Sequence, residues 1–358
     1  MVKYQDIKSL TSDELKKWLR ESGEKSFRAE QIQNWLFRGQ VKSYDEMLNV
    51  PPSTRDQLAA AFRIHSLTEA DCSESSDGTL KWLFRTADGH HIETVMIPAN
   101  DRFSVCVSTQ IGCAMNCAFC RTAKMGFTRN LEAGEILEQI IRVNWHLKTL
   151  SEDAPEVTNI IFMGMGEPLM NLENVHRTCC TLHNQKLFNM GRKRMTVSTS
   201  GVVPRIKELV DRNTPCCLAV SLNGTNDEMR SRLMPVNKTW NLEALLAATD
   251  EYTRRTDNYV TFEFVLIKDI TCTEQAAKEL VRIAAPRRCK INAIVLNDSS
   301  DAELQPPEAE EIDRFLEIVR AAKIQITLRN PRGRDILAAC GQLAYQQRKV
   351  EHADTKSA

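Results

Sequence analysis

No apolar run in this chain approaches the ~18 residues that a bilayer-spanning helix needs, and charges interrupt every hydrophobic stretch. The opening Met1-Val-Lys-Tyr-Gln-Asp6 has neither the apolar core nor the cleavage-like site of a signal peptide. A soluble, cytoplasmic protein with no membrane partner is therefore expected. No internal repeat or low-complexity segment stands out. Net charge is missing too, since 47 Lys and Arg balance 47 Asp and Glu. Taken at face value, that balance argues against a nucleic-acid partner.

What is present is an ordinary globular composition, 42% hydrophobic and 26% charged, which excludes a mostly disordered chain. Its 358 residues suggest two domains, or one large domain with an appendage. Residues 1–65 read as a small helical domain. Thr11-Ser-Asp-Glu14 has the capping-box pattern, a second helix is expected from Arg28, and Trp35, Leu36, Phe37, Met47, Leu48 and Phe62 offer a small core. Residues 66–100 read as a linking hairpin, with Leu80–Arg85 and Ile92–Ile97 flanking an Asp88-Gly89 turn. From 101 to 346 seven apolar strand candidates, starting near 103, 157, 195, 217, 260, 291 and 324, alternate with six helical patterns. Repeating strand–helix units imply an α/β fold with a parallel sheet, doubly wound or barrel-like, whose ligands gather at the carboxyl ends of the strands. Residues 347–358 form a polar tail.

Twelve cysteines are many for a chain without a secretory leader, and in a reducing compartment closely spaced thiols bind metal or do chemistry. Only Cys113-Ala-Met-Asn-Cys117-Ala-Phe-Cys120 has ligand-like spacing. A structural zinc site wants four protein ligands, and this loop offers no fourth Cys or His. A four-iron cluster held by three thiolates instead leaves one iron open to a small molecule. The other reading is a partial zinc knuckle. Phe119, between the last two thiols, is placed to shield a cluster from water. Gly164-Met-Gly-Glu-Pro168 follows the second strand, where glycines allow close backbone approach and Glu167 can hold an ammonium. Ser198, Ser221-Leu222-Asn223 and Asn297 fall at the ends of the third, fourth and sixth strands. Each alone reads equally well as a helix cap, but their shared location favours one pocket.

The spacing Cys-x3-Cys-x2-Cys resembles the signature of the radical S-adenosylmethionine (SAM) superfamily, whose core is a partial (βα)6 barrel. Together with Cys106-Val-Ser-Thr-Gln-Ile-Gly-Cys113, the Gly-Met-Gly-Glu-Pro segment and Ala339-Cys340-Gly-Gln-Leu343, the chain resembles the RlmN/Cfr family of radical SAM RNA methyltransferases, closest to the RlmN branch. The resemblance runs over nearly the whole chain and implies that residues 1–65 are an accessory RNA-binding domain. It implies a [4Fe-4S] cluster on Cys113, Cys117 and Cys120, and SAM held by Gly166, Glu167, Ser198, Ser221, Leu222, Asn223 and Asn297. It further implies two SAM molecules per turnover. One methylates Cys340; the other is cleaved to a 5′-deoxyadenosyl radical that takes a hydrogen atom from that methyl group. The resulting carbon radical adds to carbon 2 of adenosine in 23S rRNA or tRNA. Glu93 is implied as the proton acceptor, although on its residues alone it reads as a solvated strand position. Cys106 is implied as the resolving thiol, in a transient disulfide with Cys340. An external electron donor and a monomeric enzyme are expected. The competing readings are carbon-8 methylation, as in the Cfr branch, and a non-catalytic iron–sulfur RNA-binding or sensor protein. No role is assigned to Cys72, Cys179, Cys180, Cys216, Cys217, Cys272 or Cys289.

The neutral balance is uneven. Four basic residues and no acid lie between Asp101 and Glu132, seven between Glu173 and Glu208, and five from Arg320 to Arg334. Because these runs border the proposed site segments, one basic surface around the barrel mouth is expected, with Arg192, Lys193 and Arg194 among its RNA contacts.

Overall fold

The computed structural model describes residues 5–100, 102–151, 153–297 and 303–343; the polar tail expected over 347–358 lies outside them. The chain begins with β1 (Gln5–Asp6), α1 (Ser12–Glu21), α2 (Arg28–Asn34), α3 (Pro52–Ala61) and β2 (Phe62–Arg63), which pairs in parallel with β1. α1 starts at the expected capping box, with Thr11 Oγ1 accepting from the Glu14 amide and the Glu14 carboxylate accepting from the Thr11 amide. Two amides that the first turn leaves without helical partners are thereby satisfied. Leu36, Phe37, Met47 and Phe62 are buried as expected, but Leu48 is 81% exposed. It sits in a turn, where hydrophobicity does not decide direction.

Charge fastens this helical segment to the rest of the molecule. Lys8 Nζ lies 3.1 Å from Asp6 Oδ1 and 3.3 Å from Glu138 Oε2, and all three side chains are buried. His65, Arg142 and the Ser66 amide complete the set around Glu138. Burial drives the Glu138 carboxyl upward, yet Lys8 and these donors outweigh it and hold the group down at about 2.

β3 (Leu67–Glu74), β4 (Leu80–Thr86) and β5 (His91–Ala99) form an antiparallel ribbon that joins β6 (Arg102–Cys106). The expected hairpin over 80–97 is β4–β5, turning at Gly89 with φ +88°. β3 gives no sequence signal because it is a polar edge strand, exposed at Glu69, Asp71 and Glu74. Charge there discourages further strand pairing. A short hairpin, β7 (Gln110–Gly112) and β8 (Phe127–Asn130), brackets the cysteine loop.

The alternating region then runs α4 (Ala133–Leu150), β9 (Asn159–Phe162), α5 (Leu172–His183), β10 (Met195–Thr199), α6 (Val203–Asp211), β11 (Cys217–Ser221), α7 (Asp227–Leu233), α8 (Leu242–Thr256), β12 (Val260–Leu266), α9 (Glu274–Ala284), β13 (Cys289–Val295), α10 (Ala309–Ala321) and β14 (Ile326–Arg329). One ten-stranded sheet results, in the order β14-β13-β12-β11-β10-β9-β6-β5-β4-β3, parallel from β6 to β14. The six strand–helix units expected from the sequence are present, with β14 as a seventh parallel strand. Among the described residues no helix is long and apolar enough to cross a membrane.

Register explains what the sheet presents. Val105, Ile160, Val197, Leu218, Val220, Phe262 and Phe264 occupy the alternate positions and are buried in the main apolar core. The opposite face carries Cys106, Ile161 and Ser198, then Ser221 opposite Glu263, and Ile294 opposite Arg329. Because side chains alternate strictly along a strand, Ser198 and Ser221 near the carboxyl ends of β10 and β11 share one side of the sheet with Glu263 at the middle of β12. Val95 pairs with Cys106, so β5 extends the same side and Glu93 stands two residues further along it.

Candidate functional site

Cys113, Cys117, Cys120, Gly166, Glu167, Ser198, Ser221, Asn223, Asn297 and Cys340 line one cavity at the carboxyl ends of the parallel strands. It encloses about 960 Å³ with its solvent mouth included. The sequence places these residues far apart, and the strand–helix topology brings them together. Leu222 is the exception. Its side chain is fully buried in the core, its amide donates to Glu263 O, and its carbonyl accepts from Arg230 Nε.

The cysteine loop is held at both ends. The Cys113 amide donates to Gly126 O at 2.9 Å, and the Ala118 amide donates to Leu233 O of α7 at 2.9 Å. Burial raises the Cys113 thiol to about 12 and pushes the Cys117 thiol well above its ordinary value, and in both cases Cys120 adds to the effect. The three sulfurs therefore sense one another in a desolvated setting, where thiols stay protonated unless a metal centre takes the proton's place. The donor set is all thiol. Among the described residues no three Cys, His, Asp or Glu side chains gather tightly enough to grip a single ion. The all-thiol donor set fits an iron–sulfur cluster, which these three cysteines would hold. Phe119 lines the same cavity and is partly buried against an apolar cluster that includes Leu233, Met234, Ile267 and Leu296.

The Gly-Met-Gly-Glu-Pro segment differs from expectation in one respect. A Cβ on Gly164 would come within 2.7 Å of the Val107 backbone, and one on Gly166, at φ +103°, within 2.5 Å of the Gln110 side chain. These glycines admit the neighbouring chain at 107–110 as well as a ligand. Glu167 is fully buried; its carboxylate accepts from the Leu169 amide at 3.0 Å and from the Ser200 amide at 2.7 Å. Burial raises its pKa despite these donors.

Two residues escaped the sequence reading. Glu263, on β12, accepts from Ser198 Oγ at 2.6 Å through Oε2, whereas its buried Oε1 has no hydrogen-bond partner. A buried carboxylate oxygen left in this state is costly, and burial raises the Glu263 carboxyl above its ordinary value. Arg230, on α7, is fully buried and donates to the carbonyls of Leu222, Ser200 and Ser221 and to Asn237 Oδ1. Burial brings it down to about 10, and the Cys117 sulfur and Asp227 oppose that fall. Neither has a local signature, because a lone Glu in an apolar strand and an Arg on a short polar helix look unremarkable in sequence.

Cys340 joins this cavity to a second one. Both are lined by Met163, Ile294, Asn297 and Cys340, and the second adds Cys106, Val95, Ile97, Arg329 and Arg332. The Cys340 segment is tied to the cysteine loop, since the Arg121 amide donates to Gly341 O at 2.7 Å. Asn297 Nδ2 donates to Cys340 O at 3.3 Å, so this asparagine also holds the segment in place. Cys106 is a free thiol, raised to about 12 by burial and next by Cys340. Glu93 lines neither cavity. It is buried on β5, not solvated, and its carboxylate lies 3.2 Å from Lys81 Nζ.

The basic runs are not one surface. Arg192, Lys193 and Arg194 immediately precede β10, at the amino ends of the strands and opposite the cavities. Arg192 and Arg194 are bonded there to Asn213 and Asn159. Arg129 is engaged by Asp88 and Glu135, Arg177 by Glu14 and Glu173, and Lys186 by Glu30. Of the three runs, Arg121, Lys124, Arg329, Arg332 and Arg334 lie toward the carboxyl ends, with Arg334 donating to Asn297 and Arg332 3.8 Å from Asp77. A linear charge run cannot distinguish the two ends of a barrel.

Known proteins share this sequence and fold. Residues 5–64 match the model described as ribosomal RNA large subunit methyltransferase N-terminal domain, and residues 107–281 match the radical SAM superfamily. The chain is 41% identical over 348 residues to the dual-specificity RNA methyltransferase RlmN of Desulfosudis oleivorans, covering 96% of this chain and 92% of the relative. It is 39% identical over 347 residues to the probable dual-specificity RNA methyltransferase RlmN of Staphylococcus saprophyticus, covering 97% and 94%. A crystal structure of a radical SAM methyltransferase from Sphaerobacter thermophilus superimposes with a TM-score of 0.90 at 42% identity, over 94% of this chain and 98% of that one.

Proposed function

The chain belongs to the RlmN family of radical SAM RNA methyltransferases, and from that premise we propose that it methylates carbon 2 of adenosine in 23S rRNA and tRNA with Cys340 as the methyl carrier. The observation that carries this reading is the position of Cys340 on the wall between two cavities. One cavity holds the three cluster cysteines and the polar strand ends. The other holds Cys106 between apolar walls and two arginines.

When bound, the [4Fe-4S] cluster and SAM supply the methyl group and, with an electron from an external donor, the means to remove a hydrogen atom. Cys113, Cys117 and Cys120 would hold the cluster. Gly166, Glu167, Ser198, Ser221, Asn223 and Asn297, which line one cavity, would hold SAM, and Glu263 Oε1 would add an acceptor for a hydroxyl or cationic group of that ligand. Cys340 first accepts a methyl group on sulfur, facing this cavity. The target base, turned out of its stack, enters the second cavity, where the carbon on Cys340 meets carbon 2. Glu93, on the same side of the sheet as Cys106, takes the ring proton. Cys106 then gives up its proton and bonds to the Cys340 sulfur as the sulfur–methylene bond breaks; the methylene carbon takes a proton to become the methyl group, the one surplus electron of the adduct leaves to a one-electron acceptor, and the resulting disulfide must be reduced before the next turnover. One SAM is used for each of the two steps, giving two per turnover. Residues 1–65 are read as the accessory RNA-binding domain, 66–100 as the ribbon bringing Glu93, and 101–346 as the catalytic barrel with its Cys340 segment.

The test is the product. Treated RNA should gain a methyl group on carbon 2 of adenosine; a carbon-8 methyl, or bound iron without any methylation, would overturn the assignment. The revised basic surface makes a separate prediction. Neutralising Lys124, Arg332 and Arg334 should weaken RNA binding and flatten its salt dependence by about two to three in log–log slope. The triple change at Arg192, Lys193 and Arg194 should leave the slope as it was. The reverse pattern, measured by salt titration of binding, would put the RNA at the other end of the barrel.

A further inference from the structure

Lys81 is a buried cation that the reaction sequence above does not use. It stands on β4 opposite Val95, one diagonal step from Glu93 and on the same face of the sheet. Its Nζ lies 3.2 Å from Glu93 Oε1 and donates to Leu337 O at 3.4 Å, with both charged side chains less than a tenth exposed. Leu337 precedes Cys340 by three residues and takes a left-handed backbone, φ +52°. One ammonium therefore touches both the carboxylate and the loop that carries the methyl-bearing thiol.

The turn between β3 and β4 holds the same loop independently. Asp335 accepts from Ser75 Oγ at 2.6 Å and from the Ser76 amide at 3.0 Å, while the Gly333 amide donates to Asp77 Oδ2 at 3.1 Å. The loop is thus clamped without Lys81, so general anchoring does not explain a buried lysine there. Desolvating an ammonium is expensive unless its partners are well placed, and here one of them is Glu93.

We propose that Lys81 is a positioning residue for the proton-removal step, holding the Glu93 carboxylate against the Cys340 loop. The inference rests on the reading of Glu93 as proton acceptor. It concerns the second half of the reaction only, because methyl transfer to Cys340 takes place in the other cavity.

The two halves can be read separately in the reconstituted holoenzyme. Mass spectrometry of the protein reports methylation of Cys340, and a denaturing gel reports the covalent protein–RNA adduct that persists when proton removal fails. Lys81→Met should keep Cys340 methylation and iron content within about twofold of the parent. Adduct should accumulate at least about tenfold and product formation fall by a similar factor, within the range for a displaced general base. Lys81→Gln, which retains a donor for Leu337 O without the charge, should behave the same way. Equal losses of Cys340 methylation and product would mean that Lys81 only supports the fold, and would overturn the proposal. So would wild-type adduct levels in Lys81→Met alongside high levels in Glu93→Gln. Normal turnover by Glu93→Gln would instead overturn the underlying reading of Glu93, whatever Lys81 does.

Discussion

Replacing Cys340 by Ala is expected to abolish methyl transfer to RNA, by at least about a thousandfold, while iron and sulfide content stay at the parent level. The two outcomes separate because the cluster thiols sit on their own loop, fixed by Cys113 to Gly126 and by Ala118 to Leu233. The Cys340 side chain supports neither contact. Its neighbours Ala338 and Ala339 are buried and small, so an alanine at 340 disturbs little packing. Cys106→Ala should differ in kind. It leaves the methyl carrier intact but removes the thiol that frees it, so the RNA should stay covalently attached to the protein. Methylated RNA from Cys340→Ala would exclude a route through this sulfur, even with the cluster in place.

Arg230→Met is expected to cost about 3–5 kcal/mol of stability and to yield protein with less than a full complement of iron. The guanidinium fans out to three carbonyls at the ends of β10 and β11 and to Asn237, contacts that a methionine of similar length cannot replace. Those carbonyls would then be buried without donors. Loss of iron should follow because α7, which carries Arg230, also anchors the cysteine loop through Leu233 O. Arg230→Lys should recover little, since a lysine is a point charge and cannot reach several acceptors in one plane. Denaturant unfolding and iron analysis check both parts; a loss below about 1 kcal/mol with full iron would show that the strand ends hold themselves.

The seven parallel strands and their six main helices were legible because each is an apolar run bounded by polar turns, a pattern that parallel sheets impose. The cluster loop was legible from spacing alone. Other features escaped for physical reasons. β3 is a polar edge strand and α7 a seven-residue polar helix, so neither carries an apolar period. Glu263 acquires meaning only beside the Ser198 hydroxyl, 65 residues away in sequence, and Arg230 only where it joins its near neighbours to the Ser200 carbonyl, 30 residues away. The basic run at 192–194 was misplaced because sequence adjacency to Ser198 hides the length of β10, which puts the two at opposite ends of one strand. Glu93 reads as solvent-facing in a hairpin, whereas the fold buries it beside Lys81, with Ser108 Oγ donating to its carbonyl.

The central claim, that the methyl group travels through Cys340, is tested most directly with SAM carrying a trideuterated methyl group. The RNA product is digested and its methyladenosine weighed. Loss of one hydrogen atom from the methyl group on Cys340, and gain of one from solvent when sulfur departs, requires a carbon-2 methyl that keeps two of the three deuterons. A product methyl retaining all three would mean direct transfer from SAM to the base, and would contradict the account.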